Sequence, residues 1–187
     1  MVLLTSIFPE SFTLEERNKN FDYYEGMLFE KLINQTIDWL EKNKIAYIQK
    51  LNLPIKFSGT ESDIKGNLWL KNVKVTHKST VDYIGCYRGQ FIAFEAKSTK
   101  SDRLEKSNIK TNQIEYLTKV NACGGLAFYL IYFEKYDQIL CTPVDWILFL
   151  LKKENSLNIV NIVKNSLSVD ILFPGILNLD KTLKFWN

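Results

Sequence analysis

Residues 79–100 read STVDYIGCYRGQFIAFEAKSTK. Two apolar runs, Thr80–Cys86 and Gln90–Ala96, flank Arg88-Gly89, the pattern of a β-hairpin closed by a tight turn. With a two-residue turn, Tyr87 faces Gln90, and counting outward sets Asp82 opposite Glu95 and Thr80 opposite Lys97. Side chains alternate along a strand, so Thr80, Asp82, Glu95 and Lys97 fall on one face. Directly opposed Cβ atoms lie about 4.5–5.5 Å apart. Two carboxylates at that distance repel unless a cation sits between them. A bulge would shift this register.

An acid on one strand and Glu-x-Lys on the next suit metal-assisted hydrolysis of a phosphodiester. Carboxylate oxygens are hard ligands for Mg²⁺, which keeps several waters and also takes phosphate oxygens. The metal lowers the pKa of a bound water and offsets developing charge on the phosphate. A lysine is a movable point charge that can orient that water or neutralise the phosphate. The alternative is a surface hairpin carrying a cross-strand ion pair, because Glu-x-Lys is frequent in soluble proteins.

The wider sequence adds context. The segments EGMLFEKLINQT (25–36), KLNLPI (50–55) and NIKTNQIEYL (108–117) accompany STVDYIG…RG…FEAKST. Together they resemble the PD-(D/E)xK nuclease core, and in particular the RecU family of Holliday-junction resolvases, over about Tyr24 to Lys152. The resemblance implies an α/β, restriction-endonuclease-like fold: a mixed central sheet flanked by helices, with a protruding β stalk. It implies Asp82 and Glu95 as metal ligands with Thr80 and Gln113 completing the set, Lys97 as the catalytic lysine, and Glu30 in support. The cofactor would be Mg²⁺, with Mn²⁺ as the alternative. The substrate would be four-way junction DNA, the assembly a homodimer, and the further partners recombinase and branch-migration proteins. RecU-like sequences usually have a basic residue where this chain has Glu25, and histidines near Lys110 and Asn112.

Composition is compatible with this reading without arguing for it. The 187 residues are 46% hydrophobic and 24% charged, with net charge +3, as in one folded domain, 1–187. Cys86, Cys123 and Cys141 lack metal-binding spacing and read as reduced core residues of a cytoplasmic protein, for which the resemblance implies association with the nucleoid. The longest apolar run, Gly124 to Phe133, is far short of the ~20 residues a membrane helix needs. No targeting segment stands out, and no membrane partner is expected.

Along the chain, residues 1–20 read as a loosely held arm, and Tyr24–Asn43 as an amphipathic helix. Phe29, Leu32, Ile33, Thr36, Ile37 and Leu40 form its core stripe, with Glu30 at the stripe's edge. Ile45–Leu51 reads as a strand. Residues 57–78 read as a projecting insertion rich in turn formers, with Lys65, Lys71, Lys74, His77 and Lys78 along it. Ser101–Lys106 reads as a polar loop, and a helix from about Asn108 places the Gln113 amide in an apolar stripe, where it needs partners. Gly124–Phe133 and Gln138–Cys141 read as neighbouring strands. Thr142 reads as the N-cap of the next helix, with Pro143 at its first position. Leu183 and Trp186, on a last short helix, close the core. Two other functions fit the residues: a restriction-like or repair nuclease of the same fold, and a non-cleaving DNA-binding protein. The intact Thr80, Asp82, Glu95, Lys97 and Gln113 set argues against the second.

Overall fold

The computed structural model describes residues 14–52, 54–76 and 80–186, with 14–27 as helical backbone. A long helix α1 (Leu14–Lys42) leads into β1 (Ala46–Lys50). The short strands β2 (Ile55–Lys56), β3 (Gly59–Ser62), β4 (Leu68–Lys71) and β5 (Lys74–Val75) follow. The hairpin is β6 (Tyr83–Tyr87) and β7 (Gln90–Thr99), and β8 (Arg103–Glu105) precedes helix α2 (Thr111–Ala122). Then come β9 (Leu126–Phe133), β10 (Gln138–Pro143), α3 (Val144–Leu151), β11 (Ser156–Asn158) and α4 (Ile159–Ile162). The chain ends through β12 (Leu167–Ser168), β13 (Ile171–Leu172), β14 (Ile176–Leu177) and α5 (Leu179–Lys184).

Six strands form the central sheet in the order β1-β6-β7-β9-β10-β12, with β7 and β9 parallel and the other pairs antiparallel. Alternation along β7 and β9 sends Ile92, Phe94, Phe128 and Leu130 to the α1 and α5 side. It sends Ala93, Ala127, Tyr129 and Ile131 to the α2 and α3 side. Strand β9 is therefore apolar on both faces, as its continuous run requires. Each Leu, Ile or Phe fully buried this way contributes about 1.5–3 kcal/mol. On the first face, Tyr83, Phe94 and Phe128 stack in sequence, with centroids 4.7 and 5.0 Å apart. Buried Thr36 ties α1 to the C-terminal segment by accepting from the Leu177 N–H at 2.7 Å. This is the mixed sheet with helices on both sides that the sequence calls for.

The hairpin turn is Arg88-Gly89, both residues at positive φ (49° and 84°), and its ladder runs from Tyr87↔Gln90 to Tyr83↔Phe94. That is the two-residue-turn register read from the sequence. Arg88 and the Tyr87 hydroxyl both donate to Asp180, at 3.1 and 2.9 Å, and anchor the turn to α5. The backbones of β1 and β6 approach closely at Gly85, where a Cβ would stand 2.1 Å from the Tyr47 carbonyl oxygen. Gly85→Ala would force these strands apart.

Between β1 and the hairpin the chain projects as two stacked ladders, β2 with β5 and β3 with β4. Every residue of β2, β4 and β5 is exposed, and Leu68 and Trp69 keep 65% and 62% of their surface. Its tip is fixed by Asp63, whose carboxylate accepts from the Asn67 and Lys65 N–H groups at 2.8 and 2.9 Å and from the Trp69 indole. His77 and Lys78 lie outside the described residues.

Several expectations need correction. Helix α1 begins at Leu14, so 14–20 of the expected arm is helical backbone, while 1–13 lies outside the described residues. The expected loop at 101–106 contains β8, which pairs with β11 through buried Leu104 and Leu157. Thr142 is not an N-cap: β10 continues through Pro143 opposite Phe128, and the buried Thr142 hydroxyl bonds Ser166 at 2.8 Å. Cys86 and Cys123 are exposed, and only Cys141 belongs to the core. Among the described residues no helix is long and apolar enough to cross a membrane.

Candidate active site

Strand β7 is twice as long as β6, ten residues against five, so its second half outruns the hairpin. Beyond Tyr83↔Phe94 the pairing gives way to side chains. The Asp82 N–H donates to Glu95 Oε2 at 3.0 Å, and the Ala96 N–H donates to Asp82 Oδ2 at 3.2 Å. Asp82 thus sits beside Glu95, as counted from the turn, and the Leu51 N–H holds its carbonyl at 2.7 Å. Thr80 does not oppose Lys97 in a ladder. With the Ala96 N–H taken by the Asp82 carboxylate, the chain leaves the sheet, and Thr80 sits half-buried in the preceding bend.

Glu95 is buried, 1% exposed, and among the described residues its carboxylate accepts from the Asp82 N–H, Lys97 and Gln113. Its Oε1 accepts from Lys97 Nζ at 2.7 Å and from Gln113 Nε2 at 2.5 Å. Gln113, in the first turn of α2, is itself buried and turns its own oxygen toward Lys97 Nζ at 3.4 Å. The polar residue in the apolar stripe therefore finds its partners in Glu95 and Lys97.

Burial, then the neighbouring Asp82 charge, push the Glu95 carboxyl up to about 7, with Lys97 pulling in the opposite direction. The folded protein thus keeps a proton that the unfolded chain, with an ordinary value near 4.5, has lost. Stability should fall as pH rises from about 4.5 to 7, by on the order of a few kcal/mol. Asp82→Asn removes the second cause. Denaturant melts at pH 5 and pH 8, without divalent metal, should show a smaller loss for Asp82→Asn than for wild type. Equal losses would mean that the Asp82 charge does not act on Glu95.

On the α1 side, Phe29, Glu30, Lys50, Asp82, Tyr83, Ala96, Lys97 and Ser98 line a cleft of about 180 Å³. Glu30 reaches this cleft, but its carboxylate is ion-paired with Lys50 at the end of β1. Lys50 opens the KLNLPI segment, but the sequence alone assigns it no role at the site. It arrives because the β1–β6 register sets it opposite Tyr83. Tyr83 donates to Asn34 at 3.4 Å, and burial with the charges of Glu30, Asp82 and Glu95 holds its phenol protonated. The site thus brings together Asp82, Glu95, Lys97 and Gln113, with Glu30 lining the cleft, whereas Thr80 is not among the residues that line it.

The family model of RecU, recombination protein U, matches residues 24–185. The Holliday junction resolvase RecU of Mycoplasmopsis pulmonis is 41% identical over 153 residues, 82% of this chain and 89% of that protein. The protein of the same name from Streptococcus pneumoniae is 34% identical over 126 residues, 67% of this chain but only 63% of its own length. Among solved structures, the Holliday junction resolvase Hjc of Archaeoglobus fulgidus aligns with a TM-score of 0.41 at 13% identity, over 70% of this chain and 90% of that one. Matched over almost its whole described length and closely similar to a curated relative, the chain belongs to the RecU family.

Proposed function

We propose that this chain is a Mg²⁺-dependent, structure-selective endodeoxyribonuclease that resolves four-way DNA junctions. The observation that carries the reading is the contact set at the end of the hairpin: Asp82 beside Glu95, with Lys97 and Gln113 on the Glu95 carboxylate. Family membership supports the junction as substrate, since the relatives named above are junction resolvases.

The donor set suits a hydrated divalent ion. Among the described residues no three His, Cys, Asp or Glu side chains cluster as a metal cage. Mg²⁺ needs only one or two carboxylates and fills its remaining positions with water and phosphate oxygens. Asp82 and Glu95 would hold it, with the Gln113 and Thr80 oxygens as further ligands, and Mn²⁺ could substitute. When bound, it would supply an activated water and charge neutralisation at the scissile phosphate.

The chain's own residues do the rest. Lys97, 16% exposed along its side chain, is tethered to Glu95 yet lines the cleft, so its ammonium can turn to a phosphate or to the attacking water. Gln113 orients Glu95 through its amide N–H, which leaves its oxygen free to turn toward the ion. Lys50 and Lys97 present positive charge where a DNA strand would pass, with Glu30 setting the position of Lys50. Two symmetric cuts fit a two-fold dimer with one such site per protomer. The 57–78 projection would enter the junction opening, and 1–187 would act as one nuclease domain.

Incubation with a labelled four-way junction and with linear duplex, in Mg²⁺ or in EDTA, tests the reading. Paired symmetric nicks in the junction, dependent on Mg²⁺ and scarce in duplex, are expected. Equal cutting of duplex would indicate a repair-type nuclease, and binding without cleavage a non-catalytic protein.

A further inference from the structure

Glu95, Tyr129 and Thr142 stand directly opposite one another on β7, β9 and β10, so their side chains form one row on the α2 face of the sheet. Two members of the row are satisfied: Glu95 by Lys97, Gln113 and the Asp82 N–H, and Thr142 by Ser166. The third is not. Tyr129 is wholly buried, and its hydroxyl has no hydrogen-bond partner among the described residues.

An unpaired buried hydroxyl costs stability, and a phenylalanine would avoid that cost at the same volume. Phe128 and Phe133 show that β9 accommodates that side chain. Burial, with the charges of Glu95 and Asp82 adding to it, holds the phenol protonated, so the hydroxyl remains a donor in the row beside Glu95. In the structure Glu95 leans on Lys97. Once Lys97 turns to a phosphate, the carboxylate loses a donor in a place that water does not reach.

We propose that Tyr129 is a positioning residue for Glu95, its hydroxyl donating to the carboxylate in the DNA-engaged state, after Lys97 has released it. The hydroxyl bears on the orientation of Glu95 and touches no reacting atom. This inference rests on the nuclease reading above.

The test is Tyr129→Phe in the full chain, which removes one atom and leaves the packing in place. Three quantities are measured beside wild type: the melting temperature without metal, its increment with millimolar Mg²⁺, and kcat and KM on a four-way junction. The expected result has opposite signs. Without metal the variant melts at or above the wild-type temperature, while kcat falls about tenfold, KM stays within twofold, and the Mg²⁺ increment shrinks. A variant that melts higher but keeps kcat and the Mg²⁺ increment within twofold overturns the proposal, since the hydroxyl would then be inert. A variant that melts well below wild type without metal also overturns it, because the hydroxyl would be bonded in the resting fold. If wild type itself neither cleaves junctions nor responds to Mg²⁺, the nuclease reading fails first and takes this inference with it.

Discussion

Asp82→Asn is expected to slow junction cleavage by about a thousandfold, roughly 4 kcal/mol of lost transition-state stabilisation, and to leave junction binding within a few fold. Substitution by Asn is nearly isosteric. The Asp82 N–H still donates to Glu95, and the amide oxygen can still accept from the Ala96 N–H, so the bend at the strand end should hold. The variant loses a negative charge at the point where a divalent ion would sit. DNA affinity comes chiefly from phosphate contacts by basic groups, and Asp82 makes none. Removing its charge beside a polyanion should if anything tighten binding. Cleavage rates on a labelled junction and binding in Ca²⁺ or EDTA separate the two effects. Normal cleavage would remove Asp82 from the proposed site, and joint loss of binding and of the melting transition would make it a structural residue.

The hairpin register was legible because a two-residue turn leaves one pairing, and Arg88-Gly89 takes the positive φ angles that such a turn needs. Counting from it put Asp82 beside Glu95. It failed two residues beyond Asp82, at Thr80, because the Asp82 carboxylate takes a backbone donor and ends the pairing. No pattern of residue types encodes that exchange. For Gln113 the apolar stripe showed only that the amide needs partners, its place at the site came from the family resemblance, and the structure supplies the contact with Glu95. The role of Lys50 was not legible. It opens the quoted KLNLPI segment, but only the β1–β6 register shows that it reaches the cleft.

Elsewhere the misses share a cause. The β8–β11 pairing joins segments some 50 residues apart, each with a single buried leucine, so neither shows a period. Thr142-Pro143 carries the composition of a helix start, yet β9 extends far enough to hold both residues in the sheet. The early start of α1 lies in a polar run where periodicity gives no signal. Cys86 occurs among apolar residues but is exposed, and it pairs with Phe91, which is exposed as well. Local composition indicates what a segment can bury; which partner arrives to cover it depends on the whole fold.

Replacing residues 57–73 with a two-residue Gly-Ser turn is expected to leave a folded nuclease that has lost most of its preference for junctions. The cut is drawn from the ladders: β2 and β5 stay paired at Ile55↔Val75 and Lys56↔Lys74, so the new turn closes an existing hairpin. No residue of the removed piece belongs to either hydrophobic core, and none of Glu30, Asp82, Glu95, Lys97 and Gln113 is touched. Circular dichroism and the melting temperature should therefore stay close to wild type. The removed piece does carry Lys65 and Lys71 and the exposed side chains of Phe57, Leu68 and Trp69. An exposed apolar group of this kind is costly in water and invites a partner, and a four-way junction offers a central opening that linear duplex lacks. The ratio of junction to duplex affinity should fall tenfold or more, at least about 1.4 kcal/mol of discrimination. Overall DNA binding should weaken less, and its salt dependence should flatten by about two phosphate contacts. Full retention of the junction preference would mean that the projection does not read shape. Selectivity would then have to arise from the spacing of two sites in a dimer, and cross-linked dimers of the truncated chain would be the next measurement.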